Sequence, residues 1–178
     1  MKITSKLIKL ILMYKYRYKD GFMVTSECMG HGDGIADIIT YDLNKKSMIE
    51  IEIKISKQDL KKDIKKIKHT MYRDRDNTNI QKFYYAVPTF LVEYTREFLI
   101  EHDLNYGIIE IITYEVEHFE FKYFANFEKL MRVEKRCTRF NKNEPSDRQV
   151  YAFMKRISSE LVSREQELFL LNNGFNKK

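Results

Sequence analysis

The 178-residue chain has no tryptophan, only two cysteines, and no apolar run long enough to cross a bilayer. A membrane span needs roughly 20 consecutive apolar residues, so the sequence reads as a chain without one. Cys28 and Cys137 lie far apart and outside any metal-ligand spacing. That excludes a disulfide scaffold and argues for a reducing compartment, so a cytoplasmic setting is expected. The glycine-rich "GHGDG" has no G-K-[ST] ending, which excludes a nucleotide-binding loop, and no Gly-x-Ser-x-Gly elbow exists for a serine hydrolase. Neither an internal repeat nor a low-complexity segment is present. In the basic opening "MKITSKLIKLILMYKYRYKD", Lys9 interrupts the apolar run and no small-residue cleavage site follows. It therefore reads as a first helix and not as a signal peptide.

Hydrophobic residues make up 43% and charged residues 33% of the chain, the balance of a globular protein of one domain's size. The 12 Tyr and 12 Phe suit either core packing or base stacking; between residues 83 and 127 core is the plainer reading. The formal charge of +6 is concentrated. Between Lys54 and Arg75 nine Lys or Arg stand against Asp59, Asp63 and Asp74, which makes a phosphate backbone the natural partner.

Apolar periodicity divides the chain into alternating elements. Leu7, Ile8, Ile11, Leu12 and Tyr16 mark the opening helix. "GFMVTSECM" reads as a strand, "GHGDG" as a turn, and "IADIITYD" as a second strand joined by "LNKK" to "MIEIEIKI" as a hairpin. Ser56 and Asp59 then form an S-x-x-D capping box opening a lysine-rich helix with an apolar stripe of Leu60, Ile64, Ile67 and Met71. "RDRDNTN" is a loop, "KFYYAVP" a buried strand, "TFLVEYTREFLIEHDLN" a helix, and "YGIIEIITYE" another strand. "EHFEFKYF" alternates as an edge strand, "NFEKLMRVEKRC" reads as a short helix, "TRFNKNEPSD" as a linker, and 148–171 as a last helix before a fraying "NNGFNKK". The expected architecture is α/β, a mixed sheet flanked by helices over residues 1–125, with a C-terminal helical extension over 126–178.

Chemistry concentrates in "MIEIEIKIS". Residues two apart on a strand face the same way, so Glu52 and Lys54 project together, and Asp37 joins them from the adjacent hairpin strand. The alternation alone fits a solvated face with three charges in water. A strand feeding directly into a crossover helix is covered on both faces, however, and a covered face does not carry such charges idly. Two hard carboxylates a few ångströms apart make a partial shell for a Mg²⁺ ion, or Mn²⁺ in its place, with the Ile53 carbonyl as a third oxygen. Lys54 is then the catalytic cation. Glu50, on the same face, is either a supporting group or the ligand itself.

These stretches resemble the PD-(D/E)XK nuclease superfamily, whose signature is an Asp, a spacer and then Glu-x-Lys, met here by Asp37, Glu52, Ile53 and Lys54. They are closer to the MmcB-like DNA repair proteins of bacteria and phages, with "IAD", "EIKIS", "DLKKD", "YYAVP" and "YGIIEI" in matching order over about residues 5–113. The resemblance implies a restriction-endonuclease-like core and Mg²⁺-dependent hydrolysis of DNA in repair, recombination or phage genome processing, within a bacterial or phage-infected cytoplasm. It also allows a homodimer, although no apolar patch announces one. Two departures stand out. Ala36 replaces the signature proline, and no acid occurs on the first helix before Asp20, so Glu27 on the preceding strand is the expected auxiliary acid.

For phosphate contact the helix after Lys54 offers Lys57, Lys61, Lys65, His69 and Tyr72, with Gln58 as a polar helper. The plainer alternative is a solvated helix face whose Asp59 and Asp63 pair with neighbouring lysines. His31 with Cys28 and Asp33 lacks a second ligand pair and reads as a polar turn in place of a zinc site. The rival to a nuclease is a non-catalytic nucleic-acid-binding module, or a subunit of a larger complex, on the same fold. RNA as the substrate is a third reading.

Overall fold

In the computed structural model of the protein, residues 2–29, 35–73, 78–118, 127–140 and 142–172 are described. The expected turn at 30–34 with His31 and Asp33, residues 74–77 of the expected loop "RDRDNTN", residues 119–124 of the expected edge strand "EHFEFKYF" and the terminal "NGFNKK" lie outside them. Residues 2–145 form one compact unit and 146–172 belong to a second.

The first unit is α/β. Helix α1 (Ser5–Arg17) starts where the Thr4 hydroxyl accepts a hydrogen bond from Leu7 N–H at 3.2 Å, satisfying one of the orphan donors of a first turn. It buries Ile8, Ile11, Leu12 and Tyr16, the stripe that periodicity predicts. Strands β1 (Phe22–Met29), β2 (Ile35–Asp42) and β3 (Ser47–Ile53) follow as an antiparallel meander. The β2–β3 turn is set by Asp42, whose Oδ1 accepts from Asn44 N–H and Lys45 N–H, each at 3.1 Å.

Chain direction then reverses its rule. Helices α2 (Lys57–Asp63) and α3 (Ile67–Arg73) carry the chain over the sheet, so β4 (Ile80–Pro88) lies parallel to β3. A 3₁₀ turn at Thr89–Leu91 and α4 (Val92–Glu101) make the second crossover, to β5 (Gly107–Ile111), again parallel. At the start of β5, Gly107 lies opposite Tyr84, and a Cβ there would run into the tyrosine ring. Short α5 (Thr113–Glu117), a 3₁₀ turn at Phe127–Leu130 and antiparallel β6 (Met131–Lys135) complete a six-stranded sheet in the order β1 to β6. The second unit is helix α6 (Asp147–Asn172). No described helix is long and apolar enough to cross a membrane.

One apolar core lies between α1 and the sheet: Ile8, Ile11 and Leu12 meet Ile38, Ile51 and Ile109, all fully buried. Complete burial of such side chains contributes about 1.5–3 kcal/mol each.

Three elements differ from the sequence reading. The lysine-rich helix is two helices, broken at 64–66 by tightened turns in which Lys65 N–H bonds Lys62 O and Lys66 N–H bonds Asp63 O. The break shifts the phase of the inward face: Leu60 is buried as expected, but Ile67 is exposed, and Lys68, His69 and Tyr72 point inward. "YGIIEIITYE" divides into β5 and α5. "NFEKLMRVEKRC" is not a helix but a turn and an edge strand, because Met131 and Val133 pair with Ile111 and Ile109 on the open edge of β5. With β6 in the sheet, the first unit runs to Pro145 and not to 125.

Candidate functional site

The antiparallel register pairs Ile38 with Ile51 and Ile39 with Glu50, which carries Asp37 alongside Glu52. Asp37 Oδ2 accepts a hydrogen bond from Ile53 N–H at 2.8 Å, tying the end of β2 to the end of β3. Lys54 Nζ donates to Glu52 Oε2 at 2.9 Å. The hairpin thus brings together Asp37, Glu52 and Lys54, the three residues that strand periodicity predicts. They line a cleft of about 410 Å³ together with Ile53, Asp59, Lys62, Asp63 and Lys66. The alternating charged row is no solvated face: Glu50, Glu52 and Lys54 are 1%, 2% and 7% exposed.

Behind the cleft lies a buried ionic network, of which the sequence reading offers only Glu50 as a supporting group and the pairing of Asp63 with neighbouring lysines. Ser56 Oγ accepts from Asp59 N–H at 3.2 Å and starts α2 two residues after Lys54, so Asp63, two turns on, returns to the lysine. Lys54 Nζ is 2.9 Å from Asp63 Oδ1, and Lys66 Nζ is 2.6 Å from the same oxygen and 3.6 Å from Glu52 Oε2. The break between α2 and α3 turns Lys68 inward, where it bonds Glu50 Oε1 at 2.8 Å and also Glu52 Oε1. Tyr72 donates to Glu50 Oε2 at 2.6 Å. Among the described residues, Asp37 is the one carboxylate of these four with no lysine at ion-pair distance.

The electrostatics follow. Burial and the neighbouring Glu52 carboxylate push the Asp37 pKa up, against the Ile53 N–H and Lys54. Burial alone would raise Glu52 as well, but Lys68 and Lys54 overcome it and hold that carboxyl below its ordinary range. Glu50 stays raised, because its burial outweighs Lys68 and Tyr72. Burial works against both Lys54 and Lys68, yet the carboxylates beside them lift both above the usual amine value. Asp63 is desolvated too, and hydrogen bonding from His69 with the charges of Lys54 and Lys68 takes it well below the usual range. Glu52 is therefore an anion and Lys54 a cation at neutral pH, while burial and the Glu52 charge disfavour ionisation of Asp37.

The remaining expectations divide. Glu27 does not line the cleft. Its backbone takes the left-handed φ of +48° and its exposed carboxylate pairs with Lys9 of α1 at 2.7 Å. His69 and Tyr72, expected at phosphate, are 2% exposed and held in the interior by Asp63 and Glu50. Lys57, Gln58, Lys61 and Lys65 are exposed, and Lys57 Nζ sits 4.5 Å above the Tyr94 ring. None of these four lines the cleft; Lys62 and Lys66 do.

For a metal, no group of three or more His, Cys, Asp or Glu side chains among the described residues is arranged to hold an ion. The groups at the cleft that could hold a hard divalent cation keeping most of its waters are the Asp37 and Glu52 carboxylates, with the Ile53 carbonyl next to Glu52 in sequence.

No protein-family model and no curated protein matches the sequence. The solved structure of the SPO1766 protein of unknown function from Silicibacter pomeroyi is similar, with a TM-score of 0.59 at 13% identity over 100% of this chain and 98% of that one. At that identity the likeness is one of fold.

Proposed function

We propose that the cleft is the centre of a Mg²⁺-dependent nuclease of the PD-(D/E)XK type, with a restriction-endonuclease-like core, that hydrolyses DNA phosphodiester bonds. One observation carries the reading: the β2–β3 hairpin sets Asp37, bonded to Ile53 N–H, beside Glu52, which is 2.9 Å from Lys54, at an open cleft that Lys62 and Lys66 also line. Asp37, Glu52 and the Ile53 carbonyl would hold Mg²⁺ or Mn²⁺. Bound there, such an ion supplies an acidified water and neutralises charge on the phosphoryl group. Lys54 faces the developing negative charge as a fixed cation. Lys62 and Lys66 meet the backbone phosphates at the mouth, and the exposed Lys57, Lys61 and Lys65 extend the basic surface beyond it. A cytoplasmic role in DNA repair, recombination or phage genome processing suits that activity.

A non-catalytic nucleic-acid-binding module is the second reading. It is favoured by the fact that both Glu52 oxygens already meet lysines, Lys54 and Lys68, so the cluster is balanced without a metal. Incubation of the purified protein with single- and double-stranded DNA, and with RNA, separates the readings. Mg²⁺-dependent cleavage abolished by chelator and by Glu52→Ala, with the circular dichroism spectrum unchanged, is the expected result. Binding that is indifferent to Mg²⁺ and to Lys54→Ala, with no cleavage, would establish the module in its place.

A further inference from the structure

A catalytic lysine is a difficult group to place, because its ammonium rides on four rotatable bonds, whereas productive geometry tolerates only about 0.5 Å of error. Glu52 is a poor sole anchor, since the reading above also asks it to bind a metal. The second anchor is Asp63. Its Oδ1 lies 2.9 Å from Lys54 Nζ, and its Oδ2 is fixed twice, by the Tyr85 hydroxyl at 2.9 Å and by His69 Nε2 at 2.9 Å. His69 is held in turn: its Nδ1 is 2.9 Å from the Tyr106 hydroxyl, and its ring packs edge-on against Phe83 at 5.4 Å. Asp63 and His69 are 1% and 2% exposed. A continuous chain of polar contacts therefore runs from the cleft through Lys54, Asp63 and His69 to Tyr106 in the core.

Lys66, 2.6 Å from the same oxygen, already gives the Asp63 charge a second cation, and His69 and Tyr85 hold the other oxygen. What the aromatic shell adds is a fixed direction. We infer that Asp63 is the positioning residue for Lys54, and that His69 and Tyr85 set the Asp63 carboxylate so that the ammonium faces the cleft. An ammonium has three N–H donors. Glu52 accepts from one, Asp63 Oδ1 holds the ammonium at ion-pair distance on the other side, and a remaining donor is the one presented to a substrate oxygen. The inference rests on the nuclease reading for its catalytic consequence, but the positioning itself is a property of the protein alone.

The test uses full-length protein labelled with ¹⁵N-lysine, the Lys54 ammonium signal being identified by its loss in Lys54→Arg. In Asp63→Asn that ammonium should exchange with water at least about tenfold faster than in the parent. In the cleavage assay the kcat should fall about 10- to 100-fold, with KM for DNA and Mg²⁺ affinity, by titration calorimetry, within about twofold. Tyr85→Phe removes one support of Asp63 and should give the same pattern in smaller measure. It decides the matter if Asp63→Asn does not fold. Unchanged Lys54 exchange in a folded variant overturns the inference, and so does unchanged kcat in a protein that cuts DNA. If the parent does not cut DNA, the nuclease reading falls and the positioning of Lys54 is judged on ammonium exchange alone.

Discussion

The two faces of β3 are built from the same seven residues and obey opposite rules. Toward α1 the strand presents Ile51 and Ile53 to a core without a charge. Toward α2 and α3 it presents Glu50 and Glu52, each almost fully buried, to Lys68, Lys54 and Tyr72. The first face gains free energy with every apolar side chain it covers. The second takes charges out of water, and replacing such a network with well-packed apolar residues is often neutral or stabilising. The contrast teaches that around β3 one face is stabilised by apolar burial alone, whereas the other sets its buried charges beside the cleft, among apolar side chains such as Leu60, Phe83 and Tyr85.

The sharpest way to break this division is to leave a charge unpaired on the polar face. Lys68→Ala strands Glu50 in the interior, takes one of three lysines from Glu52, and should cost about 3–5 kcal/mol in urea unfolding. Adding Glu50→Gln to Lys68→Met should recover part of that loss, because fewer charges then remain buried. On the apolar face Ile11→Ala should cost about 2–5 kcal/mol through its cavity, with Mg²⁺ affinity unchanged wherever the protein stays folded. A mutation on the α1 side that altered metal binding would erase the distinction.

Acid distinguishes the faces more gently. Asp63 and Glu52 have lowered folded pKa values, so the stability they contribute is present above the ordinary carboxylate range, near pH 4, and is lost progressively as pH falls below it toward the folded values. Glu50, raised in the fold, works the other way and loses stability as pH rises past that range. Thermal unfolding followed from pH 6 to 3 should be shallower in Asp63→Asn than in the parent, by up to about 1.4 kcal/mol per pH unit. The smallest effect belongs to Glu27. Its exposed pair with Lys9 is the kind that contributes about 0–1 kcal/mol, so Glu27→Gln should leave both stability and any cleavage within about twofold of the parent's values. A large loss of turnover would return Glu27 to the site.

Much of this was legible in the sequence, and the pattern of failures is physical. Asp37, Glu52 and Lys54 could be placed together because a strand has a side-chain period of two and a short hairpin fixes its register. The α2–α3 break is not legible locally: it accompanies contacts of Lys68 with Glu50 and Glu52, 18 and 16 residues away in the chain. Helical periodicity therefore promised an apolar stripe where the protein buries cations. β6 was missed because "NFEKLMRVEKRC" has good local helix character, and only the open edge of β5 makes a strand of it. Glu27 was misplaced because its left-handed backbone, on a residue that rarely adopts it, steps out of the strand's alternation.

The order of the sheet has a consequence for how the molecule is made. Every strand pairs with its immediate predecessor in the chain, so no late segment must be threaded between two that are already joined. The meander of the first three strands closes only short loops, and each later strand adds to an exposed margin, a route with modest loop-closure entropy. Refolding should accordingly nucleate in the first third of the chain and advance across the sheet, with the ionic cluster desolvated only once the two short helices settle over it.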